Sequence, residues 1–199
     1  MPSSLPRLVL VTDRRATDRD LVAVVEAALD AGLPAVQLRE KDLPGRPLLA
    51  LAERLRAATA RTGALLFVND RLDVALAAGA DGVQLGTGSV PVEIARRLLP
   101  PGTLVGISTH APGEAVAGAD FALFGPVWET PSKVGAQGES RLRDAVRAAA
   151  VPLLAIGGVT AGRVATARAA GAAGVAVIRA ILAAPDPGAA TRALLAALD

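Results

Sequence analysis

The feature that most restricts the fold is a regular alternation. Short, unbroken apolar runs recur along the chain at 8–12, 35–39, 64–69, 82–85, 104–108, 121–124, 153–156 and 174–178. Stretches rich in Ala, Leu and Arg separate them, giving helical candidates near 17–31, 47–62, 70–78, 91–99, 112–118, 140–150, 160–170 and 179–198. Several candidates stop at glycine or proline, as at Ala31-Gly32, Ala78-Gly79, Pro100-Pro101-Gly102 and Ala170-Gly171; these are helix stop signals. A strand with one solvated face alternates polar and apolar residues, and these runs do not. Continuous apolar strands are buried on both faces, as in a parallel sheet covered by helices. Eight such units in a row predict a (β/α)8 TIM barrel, one domain over residues 1–199. With 199 residues it is a small one, since about 250 is typical. An open doubly wound sheet wants a glycine-rich turn after its first strand, and Thr12-Asp13-Arg14-Arg15 is not that.

The totals exclude several function classes. The chain is 52% hydrophobic and 20% charged, which suits a globular protein and not a disordered one. Aromatics make up only 2%, so the core is aliphatic and base-stacking platforms are absent. No basic run is dense enough for a nucleic-acid footprint. Without cysteine there is no disulfide or thiolate metal site. No apolar run approaches the roughly 20 residues of a membrane span, and the N-terminus does not read as a signal peptide. The expectation is a cytoplasmic protein with no nucleic-acid or membrane partner.

In a parallel barrel the chemistry sits just past the carboxyl ends of the strands. Here those positions carry Thr12, Asp13, Gln37, Arg39, Glu40, Lys41, Asn69, Asp70, Arg71, Gln84, Ser89, Ser108 and His110, while the opposite ends carry Gly, Pro, Ala and an occasional Asp. The segment 106–133 is the densest. It holds the single histidine, His110, the single tryptophan, Trp128, and Lys133, which with Lys41 makes up all the lysine among 21 basic residues. His110 follows a strand and titrates near neutrality, which fits a general acid/base; a packing role is the alternative. Trp128 reads as a loop anchor or a substrate wall. Gln37, Arg39 and Lys41 alternate and so face one way on a strand, as an anion site requires; an ion pair among Arg39, Glu40 and Lys41 is the alternative. Gly157-Gly158, together with Ile178 and Arg179 at the start of the last helix, reads as a phosphate cradle, against a mere corner. Asp70 suits Mg²⁺ or the cap of the next helix, and Ser89 at the following strand end supplies no second carboxylate.

The motifs Gln37-Leu-Arg39-Glu-Lys41, Val68-Asn69-Asp70-Arg71, Gly106-Ile-Ser108-Thr-His110 and Phe124-Gly-Pro126-Val-Trp-Glu-Thr130-Pro-Ser-Lys133 together resemble the thiamine phosphate synthase superfamily. Gln84-Leu-Gly-Thr-Gly-Ser89, His110 and Glu129 are more similar to its thiazole tautomerase branch than to the synthases, which carry a Mg²⁺-binding Asp where Ser89 stands. That resemblance implies a cofactor-free isomerase that aromatises a carboxythiazole phosphate, with His110 moving the proton. It implies substrate binding by Gln37, Arg39, Lys41, Asn69, Ser108, Thr130, Ser132 and Lys133, phosphate binding by Gly157, Gly158, Ile178 and Arg179, a phosphorylated thiazole as substrate, and a homodimer. The alternatives are the Mg²⁺-dependent synthase, with Asp70 at the metal, and a non-catalytic barrel that senses a phosphorylated ligand.

Overall fold

The structure is a computed structural model, and it describes residues 5–114, 118–130 and 135–199. Its strands are β1 (Leu8–Val11), β2 (Ala35–Leu38), β3 (Leu65–Asn69), β4 (Gly82–Leu85), β5 (Leu104–Thr109), β6 (Phe121–Phe124), β7 (Leu153–Ile156) and β8 (Gly174–Val177). Every neighbouring pair is parallel, and β8 returns to β1. The protein is therefore a single-domain (β/α)8 barrel. Its helices are α1 (Leu21–Asp30), α2 (Gly45–Thr62), α3 (Leu72–Ala77), α4 (Val92–Leu98), α5 (Gly138–Ala148), α6 (Ala161–Ala169), α7 (Arg179–Leu182) and α8 (Pro187–Leu198).

Two expected helices differ. Of the segment 112–118, residues 115–117 lie outside the described residues; Pro112 and Gly113 form a turn, with Gly113 in the left-handed region, φ 86°, which a right-handed helix does not use. The last expected helix, 179–198, is two. Pro185 and Pro187 interrupt it, and Asp186 caps the second piece by accepting from the Ala189 N–H.

Two apolar layers form. The larger lies between strands and helices. The smaller fills the barrel and includes Val9, Val11, Ala35, Phe67, Phe121, Leu123, Leu154 and Ala176. Inside, Phe67 and Phe121 meet edge to face, 5.3 Å between centroids. Such pairs prefer this geometry because the ring edge is positive and the face negative. Both rings fit because their neighbours lack side chains. A Cβ at Gly82 would lie 2.6 Å from the Phe67 ring, and one at Gly106 would strike Phe121 and Gln84.

The amino ends of the strands are less plain than their sequence. The repeated Gly-Ala-Asp segments place Asp81 and Asp120 just before β4 and β6. Asp81 accepts from the Leu66 N–H at 2.8 Å and from Arg56 at 2.7 Å. Asp120 repeats the arrangement with the Val105 N–H at 2.6 Å and Arg96 at 2.7 Å. Each carboxylate staples its own strand to the preceding one and to a helix.

Replacing Asp120 with Ala strands the buried Val105 N–H and leaves Arg96 only its carbonyl partners, Gly118 and Thr103. Losing a hydrogen bond to a charged group costs about 2 kcal/mol, so thermal unfolding should shift down by roughly 4–8 °C for a chain of this size. An unchanged midpoint in calorimetry would show the staple to be idle.

Candidate active site

The carboxyl ends of the strands surround a cavity of about 720 Å³. Gln37, Arg39, Lys41, Asn69, Asp70, Ser108, His110, Thr130, Gly157, Gly158, Ile178 and Arg179 all line it. Ser132 and Lys133 lie outside the described residues. Closure of the ladder explains the convergence: parallel strands in a ring present all their carboxyl ends on one rim.

On the β2 side, Thr12 accepts the Arg39 N–H at 2.9 Å and fixes where the loop leaves the strand. The ion pair among Arg39, Glu40 and Lys41 does not form. Glu40 also reaches the cavity wall, but its side chain is only 2% exposed and its carboxylate is engaged by Arg14. It accepts from the Arg14 N–H at 3.1 Å and from the Arg14 guanidinium at 3.1 Å. The guanidinium also grips Asp42, which Arg15 holds as well at 2.7 Å; the Arg14 hydrogen bond holds the Asp42 carboxyl well below the usual carboxylate range. Among the described residues neither Arg39 nor Lys41 has an acidic partner, so both cations face the cavity unneutralised.

On β3, the capping role for Asp70 is excluded. The cap position of α3 is Arg71, without a side-chain cap bond. Arg71 instead pairs with Asp73 at 2.8 Å. Asp70 stands in the left-handed region, φ 65°, the one such non-glycine among the described residues. Aspartate tolerates this conformation better than most, and functional sites concentrate it. The result is an exposed carboxylate on the cavity rim.

The floor between β2 and β5 is polar. Gln37 donates to Asn69 Oδ1 at 3.2 Å, and Gln84 donates to Ser108 Oγ at 3.2 Å. With one Ser108 lone pair so occupied, its O–H is left to donate into the cavity. Gln84 Oε1 is the buried side-chain atom without a partner among the described residues. Flipping this amide would leave two donors unpaired in its place, which costs more.

His110 is held from several sides. Its Nδ1 lies 2.6 Å from the Gly125 carbonyl oxygen. A carbonyl only accepts, so Nδ1 carries the proton and Nε2 of the neutral ring is an acceptor. Gln137 donates to the His110 carbonyl oxygen. Glu114 accepts from the His110 N–H at 2.7 Å and from the Ala111 N–H at 3.0 Å, and these bonds hold its carboxyl below the usual value. Sequence reasoning missed Glu114 and Gln137; an acid four residues after the histidine, across Pro112-Gly113, was the available signal.

The β7 turn has φ of 95° at Gly157 and 65° at Gly158. Its carbonyl oxygens are tied back: Ile156 to the Val127 N–H at 2.9 Å, Gly157 to the Trp128 N–H at 3.1 Å, and Gly158 to Arg163 at 2.7 Å. In a trans peptide the N–H opposes the C=O, so the N–H groups of Gly158 and Val159 are turned to the cavity side. Trp128 is a loop anchor and not a substrate wall, with Arg163 stacked 5.5 Å from its ring centre. The helix behind Arg179 is a single turn, so its dipole contributes less than the long helix expected from sequence would have.

The family model described as thiamine monophosphate synthase matches residues 8–181. The chain belongs to this family. A relative from Geobacter sulfurreducens is 53% identical over 96% of this chain and 93% of its own length. One from Methanoculleus marisnigri, named thiamine-phosphate synthase, is 46% identical over 94% and 92%. A solved structure of thiamine phosphate pyrophosphorylase from Pyrococcus furiosus superposes with a TM-score of 0.88 at 36% identity, covering 96% of this chain and 95% of that one.

The thiamine-phosphate synthase name that the Geobacter and Methanoculleus relatives carry overturns the expected thiazole tautomerase, and with it the isomerase, in favour of a transferase. The physical reason lies in the residues that pointed elsewhere. Ser89 is a turn staple, accepting the Gly86 N–H at 2.7 Å. It reports that a ligand is missing there, not which reaction is run. Glu129 is an exposed rim residue, and the geometry of His110 serves either reaction.

A Cβ on Gly158 would lie 2.7 Å from the Glu129 carbonyl oxygen and 2.8 Å from Trp128 Cβ. Gly158→Val should therefore do two things together: lower the unfolding temperature, by displacing the loop, and raise KM for a phosphorylated substrate by about tenfold, by removing charge-assisted N–H contacts. A raised KM with an unshifted midpoint would show that the loop does not bear on the turn.

Proposed function

We propose that the protein is a thiamine-phosphate synthase. It transfers a pyrimidine-methyl group from pyrophosphate to a thiazole phosphate: the carbon–oxygen bond to pyrophosphate breaks, a carbon–nitrogen bond to the thiazole ring forms, and pyrophosphate leaves. The observation that supports this reading is that one cavity is lined both by the unpaired cations Arg39 and Lys41 beyond β2 and by the tied-back glycine turn beyond β7, each suited to an anion. A transfer between two phosphorylated molecules needs both, and the cavity volume is within the usual range for small-molecule sites.

In this reading Arg39 and Lys41 hold the pyrophosphate, with Lys133 as a further candidate. Gly157, Gly158, Ile178 and Arg179 hold the thiazole phosphate. The floor set by Gln37, Asn69 and Ser108, with Thr130 beyond β6, orients the pyrimidine, and Ser132 is a further candidate. His110 offers Nε2 as an acceptor toward the same ring. No proton moves between carbons in this transfer, so His110 serves orientation and not the acid/base role expected of an isomerase. A homodimer, as the resemblance implies, belongs to the same proposal.

The family's chemistry implies Mg²⁺, which takes oxygen ligands and is usually held by one or two carboxylates plus substrate phosphates. Among the described residues no cluster of three acidic, histidine or cysteine side chains could hold an ion alone. Asp70 is exposed on the rim, free of Arg71, next to Asn69. The donor set fits an ion shared between Asp70 and the pyrophosphate. Bound there, Mg²⁺ would neutralise charge that develops on the leaving group.

The test is pyrophosphate release from the two phosphorylated substrates. EDTA should abolish turnover and Mg²⁺ restore it, and Asp70→Asn should weaken the apparent Mg²⁺ affinity by about 10–100-fold. Turnover indifferent to chelation would sink the reading, as would failure to consume the thiazole phosphate.

A further inference from the structure

Glu40 poses a problem that the proposed site does not solve. It sits in sequence between Arg39 and Lys41, the two cations offered to an anion. A carboxylate next to two free cations is their natural partner, and pairing would cancel the site's charge. The structure shows the opposite. Both Glu40 oxygens are occupied by Arg14, one by its backbone N–H and the other by its guanidinium. The side chain is buried on that side of the loop. Arg14 is set by the short 3-10 turn Arg14–Ala16 that follows β1, itself capped by Asp13, which accepts from the Arg15 N–H.

We propose that Arg14 is a positioning residue: it sequesters Glu40 and so leaves Arg39 and Lys41 unpaired and available to pyrophosphate. Asp42 completes the device by accepting from both terminal nitrogens of the same guanidinium, one of which it shares with Glu40, while Arg15 gives Asp42 a second partner. Arg14 does not line the cavity, whereas Arg39, Glu40 and Lys41 do; what keeps the Glu40 carboxylate from the two cations is its pairing with Arg14. This inference rests on the pyrophosphate site proposed above.

The experiment measures calorimetric binding of inorganic pyrophosphate, with saturating Mg²⁺, to the full chain. Arg39→Ala and Lys41→Ala should each weaken binding. If the wild type does not bind, or neither variant matters, the pyrophosphate site itself is refuted and this inference falls with it. Given that site, Arg14→Met should weaken binding by about tenfold, since a freed carboxylate a few ångströms from the cations offsets an anion's attraction. Adding Glu40→Gln should return binding to within about threefold of wild type. Adding Asp42→Asn to Arg14→Met restores the same net charge but leaves Glu40 loose, so it should not rescue. Equal rescue by both second changes would reduce the effect to net charge and overturn the inference, as would no rescue by Glu40→Gln or no loss in Arg14→Met. Glu40→Gln alone guards against misfolding of the Arg14 variants: with Arg14 intact it should bind at least as well as wild type, and clear weakening would mean that Glu40 serves the site directly.

Discussion

Closure of the parallel ladder between β8 and β1 is the constraint on which everything else depends. It removes the exposed edges that an open sheet of eight short strands would carry. It also sorts the chain by direction. Ligand-facing groups collect where strands end, and stabilising groups where strands begin. Asp81 and Asp120 act at the beginning, each satisfying a backbone N–H and an arginine. At the other rim Arg39 and Lys41 have no acidic partner among the described residues. A charge at one end is therefore spent on holding strands together, and a like charge at the other is kept for a ligand.

The same closure dictates what fills the ring. The chain has only three phenylalanines, and two of them meet inside the barrel. Gly82 and Gly106 provide the space. In sequence these glycines look like strand-weakening residues, but against Phe67 and Phe121 they are half of a fit. Gly106 also leaves room for Gln84, whose amide runs beneath the cavity floor to Ser108. Interior packing and site chemistry thus share residues.

Much of this was legible in the chain. Unbroken apolar runs locate the strands because strands covered on both faces need no polar alternation; β4, β6 and β7 fall at the expected limits. The rim residues followed from strand ends alone. What was not legible depended on partners distant in sequence. Glu40 and Arg14 are 26 residues apart, so nothing local distinguishes a sequestered Glu40 from one paired with Arg39. The pull-back of the β7 turn needs Val127 and Trp128 from another strand's loop. The tautomerase expectation leaned on Ser89, His110 and Glu129, and none of the three reports the reaction: the Ser89 hydroxyl closes a local turn, Glu129 is exposed on the rim, and the His110 geometry serves either chemistry.

The tied-back turn at Gly157-Gly158 has a thermodynamic corollary. Its Gly158 N–H faces the cavity only while the loop beyond β6 holds the Gly157 carbonyl oxygen. Loop attachment and anion capture are then two halves of one linked equilibrium, and linkage is reciprocal. Whatever free energy the attached loop lends to phosphate affinity, a bound phosphate must return to the loop. Occupancy of the site should therefore be readable far from the anion itself, in slower exchange of the Val127 and Trp128 amide hydrogens with solvent.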